Sequence, residues 1–117
     1  MKILTGLFKG MPLDAPVGKG VTRPTAAKVR EALMSMLAHE LQDANFIDLF
    51  SGSGAVGLEA LSRGASSCWF VEEDKRAQKV IKKNIQKMQQ RCRSQDISAP
   101  QVCLLGETVE AGLRRLL

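Results

Sequence analysis

The feature that most constrains this chain is the run Gly52-Ser53-Gly54-Ala55-Val56-Gly57, set between an apolar segment, Asn45–Phe50, and a helical pattern starting at Ala55. A G-x-G-x-x-G turn between strand and helix lets the backbone reverse tightly and come close to a ligand at the helix N-terminus. Glu72 stands twenty residues after Gly52, at the end of the next apolar run, Ser67–Val71. A carboxylate there can accept hydrogen bonds from both hydroxyls of a ribose. The bland alternative is a tight turn that needs glycine for backbone reasons alone, and the correctly spaced acid argues against it.

The rest of the chain fits an alternating α/β pattern. From residue 45 the order reads strand (Asn45–Phe50), helix (Ala55–Arg63, closed by Gly64), strand (Ser67–Val71), helix, strand (Gln101–Leu105) and a last helix from Thr108. That alternation predicts a parallel sheet with crossover helices. In the long helix Ile81, Ile85, Met88 and Cys92 form one apolar stripe. Ahead of this unit, Ile3–Phe8, a two-residue turn at Lys9-Gly10 and Met11-Pro12-Leu13 predict an amino-terminal β-hairpin, with Pro12 confining the return strand to an edge. Thr25 is placed to cap a helix over 26–41, with Val29, Leu33, Met36 and Leu37 expected on its buried side. The expected division is residues 1–25, hairpin and extended segment, and residues 26–117, a nucleotide-binding half-domain of Rossmann type. Three strands are half of a doubly wound sheet, so exposed apolar surface and a marginal monomer or an oligomer are expected.

Composition narrows the class further. At 117 residues, 44% hydrophobic and 25% charged, the sequence describes one globular domain or part of one. No uncharged apolar run approaches the roughly 20 residues of a membrane span. Cys68, Cys92 and Cys103 are odd in number and widely spaced, which reads as reduced thiols in a cytoplasm, with no metal site. The net charge of +5 is segregated: an acidic centre over residues 31–74 is flanked by two basic blocks. Such a pattern suits a cationic ligand beside a polyanion.

Asp48 helps to choose the ligand. It lies four residues before Gly52 and should face the same crevice. Two unit charges about 4–6 Å apart at an effective dielectric near 20 interact by roughly 3–4 kcal/mol before screening. Against a pyrophosphate this is repulsion; toward the amino group and sulfonium of S-adenosylmethionine it is attraction. The competing structural reading of Asp48 is a carboxylate capping the amides of the glycine turn.

The run Asp48-Leu49-Phe50-Ser51-Gly52-Ser53-Gly54-Ala55-Val56-Gly57-Leu58-Glu59-Ala60-Leu61 resembles the first motif of class I methyltransferases, and in particular the bacterial 16S rRNA guanine-N2-methyltransferase family (RsmD-like). Lys9-Gly10, Thr22-Arg23-Pro24-Thr25, Lys28-Val29-Arg30-Glu31-Ala32-Leu33 and Phe70-Val71-Glu72 extend the likeness over nearly the whole chain. The resemblance implies a Rossmann-like fold binding S-adenosylmethionine. Asp48, Ser51, Gly52 and Gly54 would border the methionine portion, Glu72 the ribose, and Glu107, where the family often has Asp, the adenine amine. The implied substrate is a guanine of 16S rRNA, or a small-subunit assembly intermediate, approached by Lys9, Arg23, Lys28 and Arg30. The family's Asp-Pro-Pro-Tyr/Phe motif occurs nowhere in this sequence, so the chain by itself is expected to be inactive. Two other classes compete: a non-catalytic nucleotide- or RNA-binding module, and an NAD-type oxidoreductase fragment. The eight basic side chains between Lys75 and Arg93 suit a phosphate track or a solvated helix face, and the solvated face is the simpler reading.

Overall fold

The structure, a computed structural model, describes residues 1–15, 24–49 and 51–117, the side chains of 24–26 excepted. In chain order the elements are α1 (Pro24–Met36), β1 (Asn45–Asp48), α2 (Ala55–Ser62), β2 (Ser67–Val71), α3 (Lys75–Ser94), β3 (Gln101–Leu105) and α4 (Val109–Leu116). The three strands form one parallel sheet in the order β1-β2-β3. This is the α/β, Rossmann-like arrangement that the alternation of patterns predicts.

Helices lie on both faces of the sheet because side chains alternate along each strand. Cys68 and Phe70 point toward α2 and α3: a Cβ added at Gly57 would meet both, and one added at Gly54 would lie 3.5 Å from Phe70 and Ile81. Trp69 and Val71 point the other way, where Gly112 lets α4 settle directly onto Val71. The parallel register aligns Ile47, Trp69 and Cys103 in one row across this second face. Ile47 remains 42% exposed.

Nearly every side of α2 is buried, since the sheet covers one side and the amino-terminal segment another. The helix ends in a Schellman arrangement, with Gly64 N–H donating to the Leu61 carbonyl and Ala65 N–H to that of Ala60. In α3 the stripe Ile81, Ile85, Met88 and Cys92 is buried as expected, and Asp74 caps the helix by accepting from Arg76 N–H.

The amino-terminal segment departs from the expected hairpin. Lys2 and Pro12 do pair antiparallel, but only as an isolated bridge, and residues 5–10 form a wide loop instead of strand and two-residue turn. The loop amides find partners on α2: Glu59 accepts from Leu4 N–H (2.9 Å) and Thr5 N–H (3.1 Å), and the Ser62 hydroxyl accepts from Phe8 N–H (2.9 Å). Satisfied there, they have no need of a ladder. Ile3, Phe8, Met11 and Leu13 join the same buried cluster as α2 and α3.

The orientation of α1 also differs from the expectation. Val29 is 62% and Met36 81% exposed, whereas Arg30 and Met34 are buried. The helix ends at Met36, short of the expected residue 41, and its buried face runs through Arg30 and Met34; of the expected stripe only Leu37, beyond the helix, packs partly against the core. The reason is polar: Arg30 turns inward to donate to the Lys2 carbonyl at 2.6 Å and stands 3.4 Å from the wholly buried Glu59, which Arg63 also pairs at 3.2 Å. The helix begins at Pro24, a favourable first helical residue, so Thr25 lies inside its first turn.

Candidate functional site

The carboxyl end of β1 turns into the glycine loop through two left-handed residues, Gly52 (φ 54°) and Gly54 (φ 83°), a conformation costly for side chains with a Cβ. Gly54 N–H donates to the Ser51 carbonyl (2.6 Å), and the Ser51 hydroxyl donates to the Asp48 carbonyl (2.8 Å). Ser51 N–H reaches the Val71 carbonyl, which ties the loop to the end of β2. Asn84 of α3, fully buried, donates to the Ser53 and Asp14 carbonyls and accepts from Asp14 N–H. One amide side chain thereby fastens the loop, the amino-terminal segment and α3 together.

Three carboxylates converge on this end of the sheet. Asp48 is buried and accepts from Gly57 N–H at 3.1 Å. Glu72 bridges two backbone amides, Gly52 N–H (2.8 Å) and Asp74 N–H (3.0 Å). Glu107, after β3, accepts from Arg115 Nε (2.7 Å), and this contact raises the Arg115 pKa. Its other oxygen, Oε2, is buried without a hydrogen-bond partner among the described residues. Glu72 and Glu107 share a cleft with Leu49, Val71, Glu73 and Val109. The cleft measures about 30 Å³, whereas small-molecule sites usually span about 300–1,000 Å³. The cleft as it stands is smaller than a nucleoside.

The hydrogen bonding bears on the type of ligand. A pyrophosphate on a glycine loop is held by free backbone amides at the helix N-terminus. Here the N–H groups of Gly52, Gly54 and Gly57 are already occupied, two of them by carboxylates. The site is acidic and poor in donors, which suits a ligand bringing hydroxyls, an amine or a positive charge. The Glu107 oxygen without a partner among the described residues can accept from a donor that a ligand brings.

Of the residues expected to meet RNA, Lys9 and Lys28 are exposed. Arg23, with Thr22, lies outside the described residues. Arg30 is a correction: its guanidinium is committed to Glu59 and the Lys2 carbonyl, and only 5% of the residue is exposed. Sequence reasoning missed Glu59, Asn84 and Arg115. A lone acid within the apolar run Ala55–Leu61, four residues before Arg63, was the available signal for Glu59. No group of three or more His, Cys, Asp or Glu suited to a metal occurs among the described residues.

Residues 1–110 match the model of the family described as "Conserved hypothetical protein 95". The chain belongs to this family. It is 41% identical over 85 residues to the Ribosomal RNA small subunit methyltransferase D of Escherichia coli K12, covering 73% of this chain and 42% of that protein. With the protein of the same name from Haemophilus influenzae the identity is 38% over 86 residues, covering 74% and 44%. The chain thus spans somewhat under half the length of these relatives. Among solved structures, "Putative methyltransferase yhhF from Escherichia coli" superposes with a TM-score of 0.69 at 31% identity, over 97% of this chain and 56% of that one. A hypothetical protein of Thermus thermophilus gives 0.64 at 28% identity, over 98% and 60%.

Proposed function

We propose that this chain forms the S-adenosylmethionine-binding half of an rRNA methyltransferase acting on a guanine N2 of 16S rRNA in the cytoplasm, free or within a small-subunit assembly intermediate. The observation that carries the cofactor reading is the cluster of Asp48, Glu72 and Glu107 around a glycine loop whose amides are already bonded. Glu72 spends one hydrogen bond per oxygen on backbone and keeps lone pairs for ribose hydroxyls. Glu107 Oε2 would accept from the adenine amine, with Leu49, Val71 and Val109 as apolar walls. Asp48, with Ser51, Gly52 and Gly54, would border the methionine end, its negative charge favouring the ligand's cationic centre. The cofactor, when bound, supplies an activated methyl group. These 117 residues hold no Asp-Pro-Pro motif to orient the accepting amine, so the roles proposed for them concern the cofactor and the RNA. Lys9 and Lys28 are the amino-terminal candidates for RNA contact. The same acidic site argues against an NAD-type enzyme.

The test is a calorimetric titration of the chain with S-adenosylhomocysteine and, separately, NADH, repeated with Glu72→Gln and Glu107→Gln. Saturable binding of S-adenosylhomocysteine, weakened in both variants, is expected. Tighter binding of NADH would replace this reading with the dinucleotide one. No binding of either by a folded sample would leave a non-catalytic module.

A further inference from the structure

α3 carries a feature that its packing uses only at one end and the cofactor site not at all. Lys75, Lys79, Lys83, Lys87 and Arg91 stand at successive i, i+4 positions, an unbroken ridge of five cations along one helix. Neighbours at this spacing repel, and a surface helix that only needs solvation interleaves acids with bases. Here no acid occurs anywhere between Lys75 and Ser94. Among the described residues only Lys87 of the five forms an ion pair, with Asp14 at 2.8 Å. Lys79 and Lys83 are exposed, as is Lys82 beside them. At 1.5 Å per residue the ridge is about 24 Å long.

The ridge does not end with the helix. Arg91 donates to the Lys9 carbonyl (3.3 Å), and Lys87 reaches the Pro12 carbonyl. These contacts hold the amino-terminal loop, with exposed Lys9, against the last turns of α3. Lys9, far away in sequence, thereby joins the ridge of α3.

We propose that this surface, Lys75 through Arg91 and on to Lys9, docks the phosphate backbone of duplex RNA. This rests on the reading that the family's substrate is rRNA, and it names where that RNA lies. A polyanion relieves the like-charge repulsion that the folded chain alone leaves uncompensated. Insertion into a lipid surface needs a free apolar helix face, and that of α3 (Ile81, Ile85, Met88) is buried in the core. Base readout needs aromatic platforms; α3 has no aromatic residue. What remains is recognition by charge and shape, the mode by which proteins hold A-form duplexes.

The experiment measures fluorescence anisotropy of a labelled RNA hairpin duplex titrated with this chain between 50 and 200 mM KCl. The variants are Lys79→Gln/Lys83→Gln on the ridge and Arg114→Gln on α4, across the sheet. Glutamine matches lysine in helix propensity, and circular dichroism checks that helicity is kept. Losing two phosphate contacts should flatten the log-affinity against log-salt slope by about 1.4–1.8, with Arg114→Gln unchanged. A wild-type slope in the ridge variant, an equal loss in Arg114→Gln, or equally tight binding to phosphatidylserine vesicles at matched charge would overturn the proposal. The two readings fail separately. Unaltered S-adenosylhomocysteine binding beside a flattened slope supports the surface, whereas absent cofactor binding removes the cofactor reading and leaves the slope as the measure of this one.

Discussion

Replacing Glu59 with Gln should destabilise the fold by about 3–5 kcal/mol, the cost of breaking a buried ion pair by removing one partner. The side chain is fully buried and accepts from Leu4 N–H, Thr5 N–H and Arg63 Nε, with Arg30 Nε a further 3.4 Å contact. Arg63 keeps 17% exposure and can turn toward water, but Arg30, at 5%, would remain a buried cation with only the Lys2 carbonyl. With a urea m-value near 1.5–2 kcal/mol/M, a loss of about 4 kcal/mol lowers the unfolding midpoint by roughly 2–2.5 M. Arg30→Met/Glu59→Leu removes both charges and should recover part of that loss, while still leaving the Leu4 and Thr5 amides without their acceptor at about 1–3 kcal/mol. In Glu59→Gln one of those two amides should also lose hydrogen-exchange protection, because the side chain keeps one accepting oxygen where it had two. The reasoning is refuted if Glu59→Gln costs under about 1 kcal/mol, or if a double-mutant cycle finds the effects of positions 30 and 59 simply additive.

Gly57→Ala would place a Cβ 2.4 Å from Phe70 Cε1 and 2.7 Å from Cys68 Sγ, so urea unfolding should show a loss of about 1–3 kcal/mol from overpacking; an unchanged midpoint would mean the helix–sheet contact is looser than described. Lys87 holds the Asp14 carboxyl below the usual range. The stabilisation from that pair is therefore fully present above the unfolded carboxyl pKa near 4 and is lost as pH falls through the lowered folded value. Both partners are about a third or more exposed, so the effect is small; carboxyl titration by NMR should give a lowered Asp14 midpoint that Lys87→Gln restores. Burial pushes the Cys68 and Cys92 thiols up, so a disulfide reagent at pH 8 should modify half-exposed Cys103 first. Equal rates at all three cysteines would indicate that the sheet opens readily.

The parts of the fold legible in the sequence were those in which a single helix or strand decides its own fate. The alternation of periods marked β1 to α4, and the stripe on α3 named its buried face, because there the core is the only competitor for each side chain. The amino-terminal segment and α1 were misjudged for a shared reason. Both answer to Glu59, 55 residues from Leu4 in sequence, and no local pattern announces that a buried carboxylate will gather two loop amides and turn Arg30 inward. In the candidate site, the spacing set Asp48 and Glu72 beside the glycine loop, where each accepts from a loop amide. The bonds that pre-empt the loop amides were not readable, since they depend on which way each carboxylate turns. The capping role weighed for Asp48 is what Gly57 N–H displays.

The row Ile47–Trp69–Cys103 has an optical consequence. The chain contains one tryptophan and no tyrosine, so its emission on excitation near 295 nm comes from a single indole, on the sheet face that α4 covers from Val71. Fluorescence from this protein therefore reports one place, on the opposite side of the sheet from α2 and α3. A blue shift would register what settles over that row.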